Sequence, residues 1–102
     1  MRVIINKQTF NHLFNNSHTF SYGGIKFLYN TGAKPDIGFI VSRKRGISVE
    51  RNKFKRRCRS AFGETDMFQR KNLNVIIQPM GSLVGWDDIK VAFSMFSSKL
   101  YE

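Results

Sequence analysis

The hydrophobic positions of this 102-residue chain change their spacing several times, and each change marks an element. In KQTFNHLFNNS, Phe10, Leu13 and Phe14 recur at i, i+3 and i+4, which predicts a short amphipathic helix ended by Asn15, Asn16 and Ser17. HTFSYGGIKFLYNTG predicts two strands around a tight Gly23-Gly24 turn, with Ile25, Phe27 and Tyr29 alternating with Lys26, Leu28 and Asn30. NTGAKPDIG reads as a loop through Gly32, Pro35 and Asp36. IGFIVS, residues 37–42, is almost continuously apolar and is expected to be a central strand covered on both faces.

Further on, Phe54, Cys58, Ala61 and Phe62 fall within an arc of about 100° at helical spacing, enough to dock a helix over residues 48–62. Ser48 is the expected N-cap, Glu50 complements the helix dipole, and Gly63 is placed as the residue after the C-cap. LNVIIQP is a fourth strand stopped by Pro79. Trp86, Ile89, Phe93, Phe96 and Leu100 then form the core-facing strip of a closing helix. The expected order is α-β-β-β-α-β-α, a single-domain α/β (α+β) sandwich over residues 1–102 with one mixed sheet packed by helices.

Composition supports a folded core: 41% of residues are hydrophobic and ten are Phe. One cysteine cannot form an internal disulfide, which fits a reducing compartment. No apolar run approaches the ~18 residues of a membrane span. The run Val3-Ile4-Ile5 is too short for a signal-peptide core, so a cytoplasmic protein is expected.

Charge changes the picture most. The net charge is +10 and the pI about 10.3, which opposes compaction and calls for a polyanionic partner. Nine of the seventeen residues from Arg43 to Arg59 are Lys or Arg, and Glu50 is the one acid among them. On the helix, Arg51, Asn52, Lys55, Arg56 and Arg59 share the flank beside the apolar arc, while Lys53 and Arg57 lie opposite. Like charges at i, i+4 cost roughly 0.2–0.5 kcal/mol each when unpartnered, a debt that a phosphate backbone would reverse. Arg can clamp phosphate with two N–H groups, and Asn52 can both donate and accept. A charge run is commonly just a solvated face; here its density and one-sidedness favour nucleic acid, with DNA and RNA undecided by composition.

Rival chemistries find little support. Asp87 and Asp88 are adjacent and diverge on a helix, where they complement its N-terminus. His12 and His18 lack a ligand cluster, and Cys58 lies on the apolar arc. Gly23-Gly24 lacks the pattern and lysine of a phosphate-binding loop. No catalytic residue, protein-held metal or small-molecule substrate is expected. A narrow arc containing Ala61 and Cys58 also argues against membrane insertion.

GFIVSRKRGISVERNKFKRRCRSAF resembles the signature region of bacterial ribonuclease P proteins, in which a strand ending in Ser and basic residues leads through a turn into a helix reading Arg-Asn-Arg-x-x-Lys-Arg-x-x-Arg. Ser42, Arg43 and Lys44 match the strand end. Arg51, Asn52, Lys53, Lys55, Arg56 and Arg59 match the helix, with Lys53 in place of the third Arg. Phe10, Phe14 and Tyr29 fall where the family carries the aromatics of a central cleft. The basic stretch preceding the first helix is reduced to Arg2 and Lys7, and Gln78 stands where the family has Arg or Lys.

The resemblance implies a left-handed βαβ crossover, against the usual right-handed preference. It implies a subunit that binds the catalytic ribonuclease P RNA and precursor tRNA and assists Mg²⁺-dependent removal of the 5′ leader, the catalytic centre and the metal residing mainly with the RNA. The nine basic-region residues would contact RNA, and Phe10, Phe14 and Tyr29 would line the leader cleft. A structural, ribosomal-type RNA-binding protein is the alternative. It would share the charge but need no cleft for a single strand.

Overall fold

In the computed structural model, residues 17–32 and 34–100 are described. The helix expected around Phe10 to Phe14 lies outside them. Strands β1 (His18–Tyr22), β2 (Ile25–Thr31) and β3 (Asp36–Phe39) come first. A 3-10 turn (Arg43–Arg45), helix α1 (Ser48–Glu64), the short helix α2 (Asp66–Arg70), strand β4 (Leu73–Pro79) and helix α3 (Trp86–Leu100) follow. The described order is therefore β-β-β-α-α-β-α: it begins with a strand and contains one short helix more than expected.

The four strands form one mixed sheet in the order β1-β2-β4-β3. β1 and β4 each pair antiparallel with β2, while β3 and β4 run parallel. Gly23 (φ 58°) and Gly24 (φ 81°) supply the two left-handed residues that a two-residue hairpin loop requires, which sets Tyr22 opposite Ile25. That register continues across the sheet as a row Phe20, Phe27, Ile77, Phe39 and a parallel row His18, Tyr29, Val75, Ile37. All three helices lay their apolar strips on this face.

The core joins Phe27, Phe39, Val75 and Ile77 to Phe54, Cys58, Ala61 and Phe62 of α1, Met67 and Phe68 of α2, and Ile89, Ala92, Phe93 and Phe96 of α3. Its centre is aromatic. The Phe27 and Phe96 rings stack at 4.5 Å, and Phe93 meets Phe27 edge-on at 5.1 Å. Such pairs add about 0.5–1.5 kcal/mol beyond the area they bury.

Three expectations change. Only residues 37–39 of the 37–42 run are strand, within the four-residue edge strand β3, and β4 takes the centre, with every residue but Gln78 buried. Ile37, Phe39 and Val41 owe their burial to the helices stacked on the sheet and not to strands on both sides. Ser48 is the first residue of α1 and not its cap: Ile47 takes that position without a side-chain hydrogen bond. Finally, α1 runs through Gly63 and is closed by Thr65, whose hydroxyl donates to the Ala61 carbonyl at 3.1 Å. The connection to β4 turns at Asn72, which adopts φ 51°, a conformation that Asn tolerates better than most residues.

Candidate nucleic-acid interface

The basic segment is carried on two rigid supports. At the end of β3, the Ser42 hydroxyl accepts a hydrogen bond from the Lys44 amide at 3.1 Å, and the Arg45 amide donates to the Ser42 carbonyl at 3.0 Å. This 3-10 turn holds Arg43 and Lys44 exposed. The second support is α1, anchored through Phe54, Cys58, Ala61 and Phe62 as the spacing predicts. Val49, by contrast, is 71% exposed and contributes nothing to docking.

On α1, Asn52, Lys53 and Arg56 are exposed, while Arg51 and Arg59 are half-buried. Arg51 donates from its terminal nitrogen to the Ser48 hydroxyl at 3.0 Å. The guanidinium of Arg59 lies 5.3 Å from the centre of the Phe39 ring. Lys55, expected on the open ridge, is only 6% exposed. Burial holds its pKa below the ordinary 10.5, and the positive charges of Arg51 and Arg59 add to that lowering.

Arg51, Lys55 and Arg59 thus form a column at i, i+4 spacing, half sunk beside the core. The Nε atoms of both arginines are buried without a hydrogen-bond partner among the described residues. Among the described residues the ion pairs are Arg70 with Asp66 and Lys90 with Asp87, and neither involves α1. An unsatisfied buried donor costs about 1–3 kcal/mol. Three neighbouring cations placed this way cost the free fold stability and form no ion pair among the described residues, which suits them to an external polyanion.

Of the expected cleft aromatics, Phe10 and Phe14 lie outside the described residues. Tyr29 is half-buried on the helix-facing side of β2, its ring edge-on to Phe96 at 5.0 Å and 5.5 Å from the His18 ring. Cys58 is buried, which pushes its thiol pKa far up and leaves it an inert core residue. No group of three His, Cys, Asp or Glu side chains among the described residues could hold a metal ion. None of the described helices is long and apolar enough to cross a membrane.

Sequence reasoning passed over Arg57, which lines a cleft with Lys53 on the far side of α1 against residues 83–85. The i, i+4 spacing of Lys53 and Arg57 was the available signal, but the opposing loop has no periodicity to reveal it.

Fold and surface together define a small basic α+β domain built around a cation-bearing crossover helix. A model of the family described as Ribonuclease P matches residues 2–101, and the chain belongs to that family. It is 34% identical over 62 residues to the ribonuclease P protein component of Kocuria rhizophila. That match covers 59% of this chain and 55% of the Kocuria protein, little more than half its length.

Among solved structures, the fold is similar to the RNase P protein from Thermotoga maritima in complex with 1-(4-fluorophenyl)-2-thiourea, with a TM-score of 0.77, 19% identity, and 93% of this chain and 95% of that one covered. The Staphylococcus aureus RNase P protein gives a TM-score of 0.77 at 17% identity, with 95% and 93% covered. At these identities the likeness establishes the fold.

Proposed function

We propose that this chain is the protein subunit of ribonuclease P, a single RNA-binding domain that associates with the catalytic RNA and precursor tRNA and assists removal of the 5′ leader. Family membership supports the reading. The observation that carries it is the Arg51, Lys55 and Arg59 column, held half sunk with no anionic partner among the described residues. Ser42, Arg43, Lys44, Asn52 and Arg56 extend the same basic surface, so that a rigid helix and a rigid turn meet one phosphate backbone, while Lys53 offers a further RNA contact from the opposite side of α1. In this reading the β3 to β4 crossover has the left-handed sense of the family.

Phe10, Phe14 and Tyr29 are assigned to a cleft for the single-stranded leader, where a stacked base is worth about 1–3 kcal/mol. The chemistry of cleavage belongs to the RNA. Magnesium selects oxygen ligands, chiefly carboxylates and phosphates, and the basic surface offers cations instead. Its residues therefore do not fit a Mg²⁺ site of their own, and the ion is assigned to the RNA partners. A single-turnover assay tests the proposal: bacterial ribonuclease P RNA and a precursor tRNA at low Mg²⁺, with and without this protein. Cleavage at the mature 5′ end should be restored by the protein. Binding of both RNAs with an unchanged rate would instead indicate a structural RNA-binding protein.

A further inference from the structure

On the side of α1 turned away from the Arg51 column, a cleft of about 200 Å³ opens between the helix and residues 83–85. Three chemistries meet there: the cations Lys53 and Arg57, the apolar groups Phe54, Leu83 and Val84, and the carboxylate of Glu50. The ion pairs among the described residues lie elsewhere, so none neutralises these charges. The Glu50 carboxylate lies close against the bare backbone of Gly46. A Cβ at Gly46, whose φ is 153°, would stand 2.7 Å from Glu50 Oε2 and 3.4 Å from Leu83 Cδ1. The bare backbone lets carboxylate and leucine close one end of the cleft together.

We propose that this cleft receives one unpaired guanine of the RNA partner. The proposal rests on the RNA-binding reading but not on which RNA is bound. Its volume is below the range of pockets that enclose drug-sized ligands, which suits a base whose sugar and phosphate stay outside. The faces of a base would bury against Phe54, Leu83 and Val84, with its phosphate near Lys53 and Arg57. Identity is read by Glu50. A carboxylate only accepts hydrogen bonds, and guanine presents two donors side by side, N1–H and the N2 amine. Adenine and cytosine set an acceptor beside their amino group, and uracil flanks its N–H with two carbonyls, so each would turn a lone pair toward the carboxylate. Unpaired RNA bases are commonly read along this edge.

The test is an NMR titration of the intact, isotopically labelled protein with 5′-GMP, 5′-IMP, 5′-AMP and inorganic phosphate. GMP should shift the Gly46 and Gly85 amides and the Leu83 and Val84 methyls. It should bind about tenfold more tightly than IMP, which lacks only the exocyclic amine, or AMP. Glu50→Gln should abolish that preference, and Leu83→Ala should weaken all three nucleotides alike. Equal affinity for GMP and AMP would overturn the proposal, as would the absence of shifts at Gly46 and Gly85. Identical shifts with phosphate alone would reduce the cleft to an adventitious anion site and overturn it too. A mononucleotide in this cleft does not engage the Arg51 column, so failure here leaves the RNA-binding reading standing. Loss of that reading would in turn show in the binding of RNA, not of GMP.

Discussion

The Arg59 guanidinium lies 5.3 Å from the centre of the Phe39 ring, joining the last cation of the column to the end of β3. Phe39 is itself fully buried against α1 and the sheet. One ring therefore packs the core with one side and seats a positive charge with another. The cation stays in place without an acidic partner among the described residues that an incoming phosphate would have to displace.

Replacing Arg59 with Lys keeps the charge and loses the planar stack. The variant gives up a cation–π contact worth about 0.5–1 kcal/mol together with a buried, unpartnered Nε–H that costs about 1–3 kcal/mol, so Arg59→Lys should be no less stable than the wild type in urea. Its RNA affinity should fall while the salt dependence of binding stays the same, because the charge count is unchanged. Equilibrium unfolding and RNA titrations at several salt concentrations check both parts.

Lys55→Met should stabilise the free protein and weaken RNA binding. The substitution keeps the buried stem and removes two like-charge contacts, with Arg51 and Arg59, each worth roughly 0.2–0.5 kcal/mol. The sign with pH follows from the lowered pKa. Between the lowered folded value and the ordinary 10.5 the unfolded chain binds more protons, so this lysine's penalty is full at neutral pH and is relieved as pH rises. The stability gain of Lys55→Met over the wild type should therefore shrink at alkaline pH.

Cys58 acts in the opposite direction. Its thiol is held protonated in the folded state, while the unfolded thiol ionises near 9.0. Above that pH the folded chain holds more protons than the unfolded one, and stability falls as pH rises. Urea midpoints measured from neutral to alkaline pH should show this decline in the wild type and a smaller one in Cys58→Ala. Alkylation of the native thiol should proceed only as fast as the structure opens.

Tyr29→Ala tests the cleft. Because the ring packs on Phe96, truncation should lower the melting temperature. The leader role predicts something packing alone does not: a several-fold greater loss of affinity for precursor tRNA than for mature tRNA. Equal losses for the two RNAs would make Tyr29 a core residue only.

Much of this architecture is legible in the sequence because burial imposes a period. The alternation at Ile25, Phe27 and Tyr29, the 3-4 spacing from Trp86 to Leu100, and the arc of Phe54, Cys58, Ala61 and Phe62 all reappear as core contacts. Where the reading fell short, periodicity carried too little information. The apolar run at 37–42 signals burial but not what buries it, so an edge strand under helices resembled a central one. The α2 segment is five residues long, shorter than two helical turns, and shows no repeat. Lys55 fell on the ridge by angle alone. How deeply a docked helix sinks depends on the sheet beneath it, which no single helix records. The 83–85 side of the guanine cleft comes from a loop brought close by the fold and has no local signature.

The central claim is that the basic flank of α1 faces RNA phosphates, and the salt dependence of binding tests it most directly. The measurement compares the affinity of wild type and of Arg51→Ala/Asn52→Ala/Arg56→Ala for ribonuclease P RNA between about 50 and 200 mM salt. Each lost phosphate contact reduces the slope of log K against log salt by about 0.7–0.9, so losing two arginines should flatten it by about 1.4–1.8. Arg70→Ala/Lys71→Ala removes the same charge from the end of α2 and should leave the slope near that of the wild type. An unchanged slope in the α1 variant, or equal flattening in both, would contradict the account.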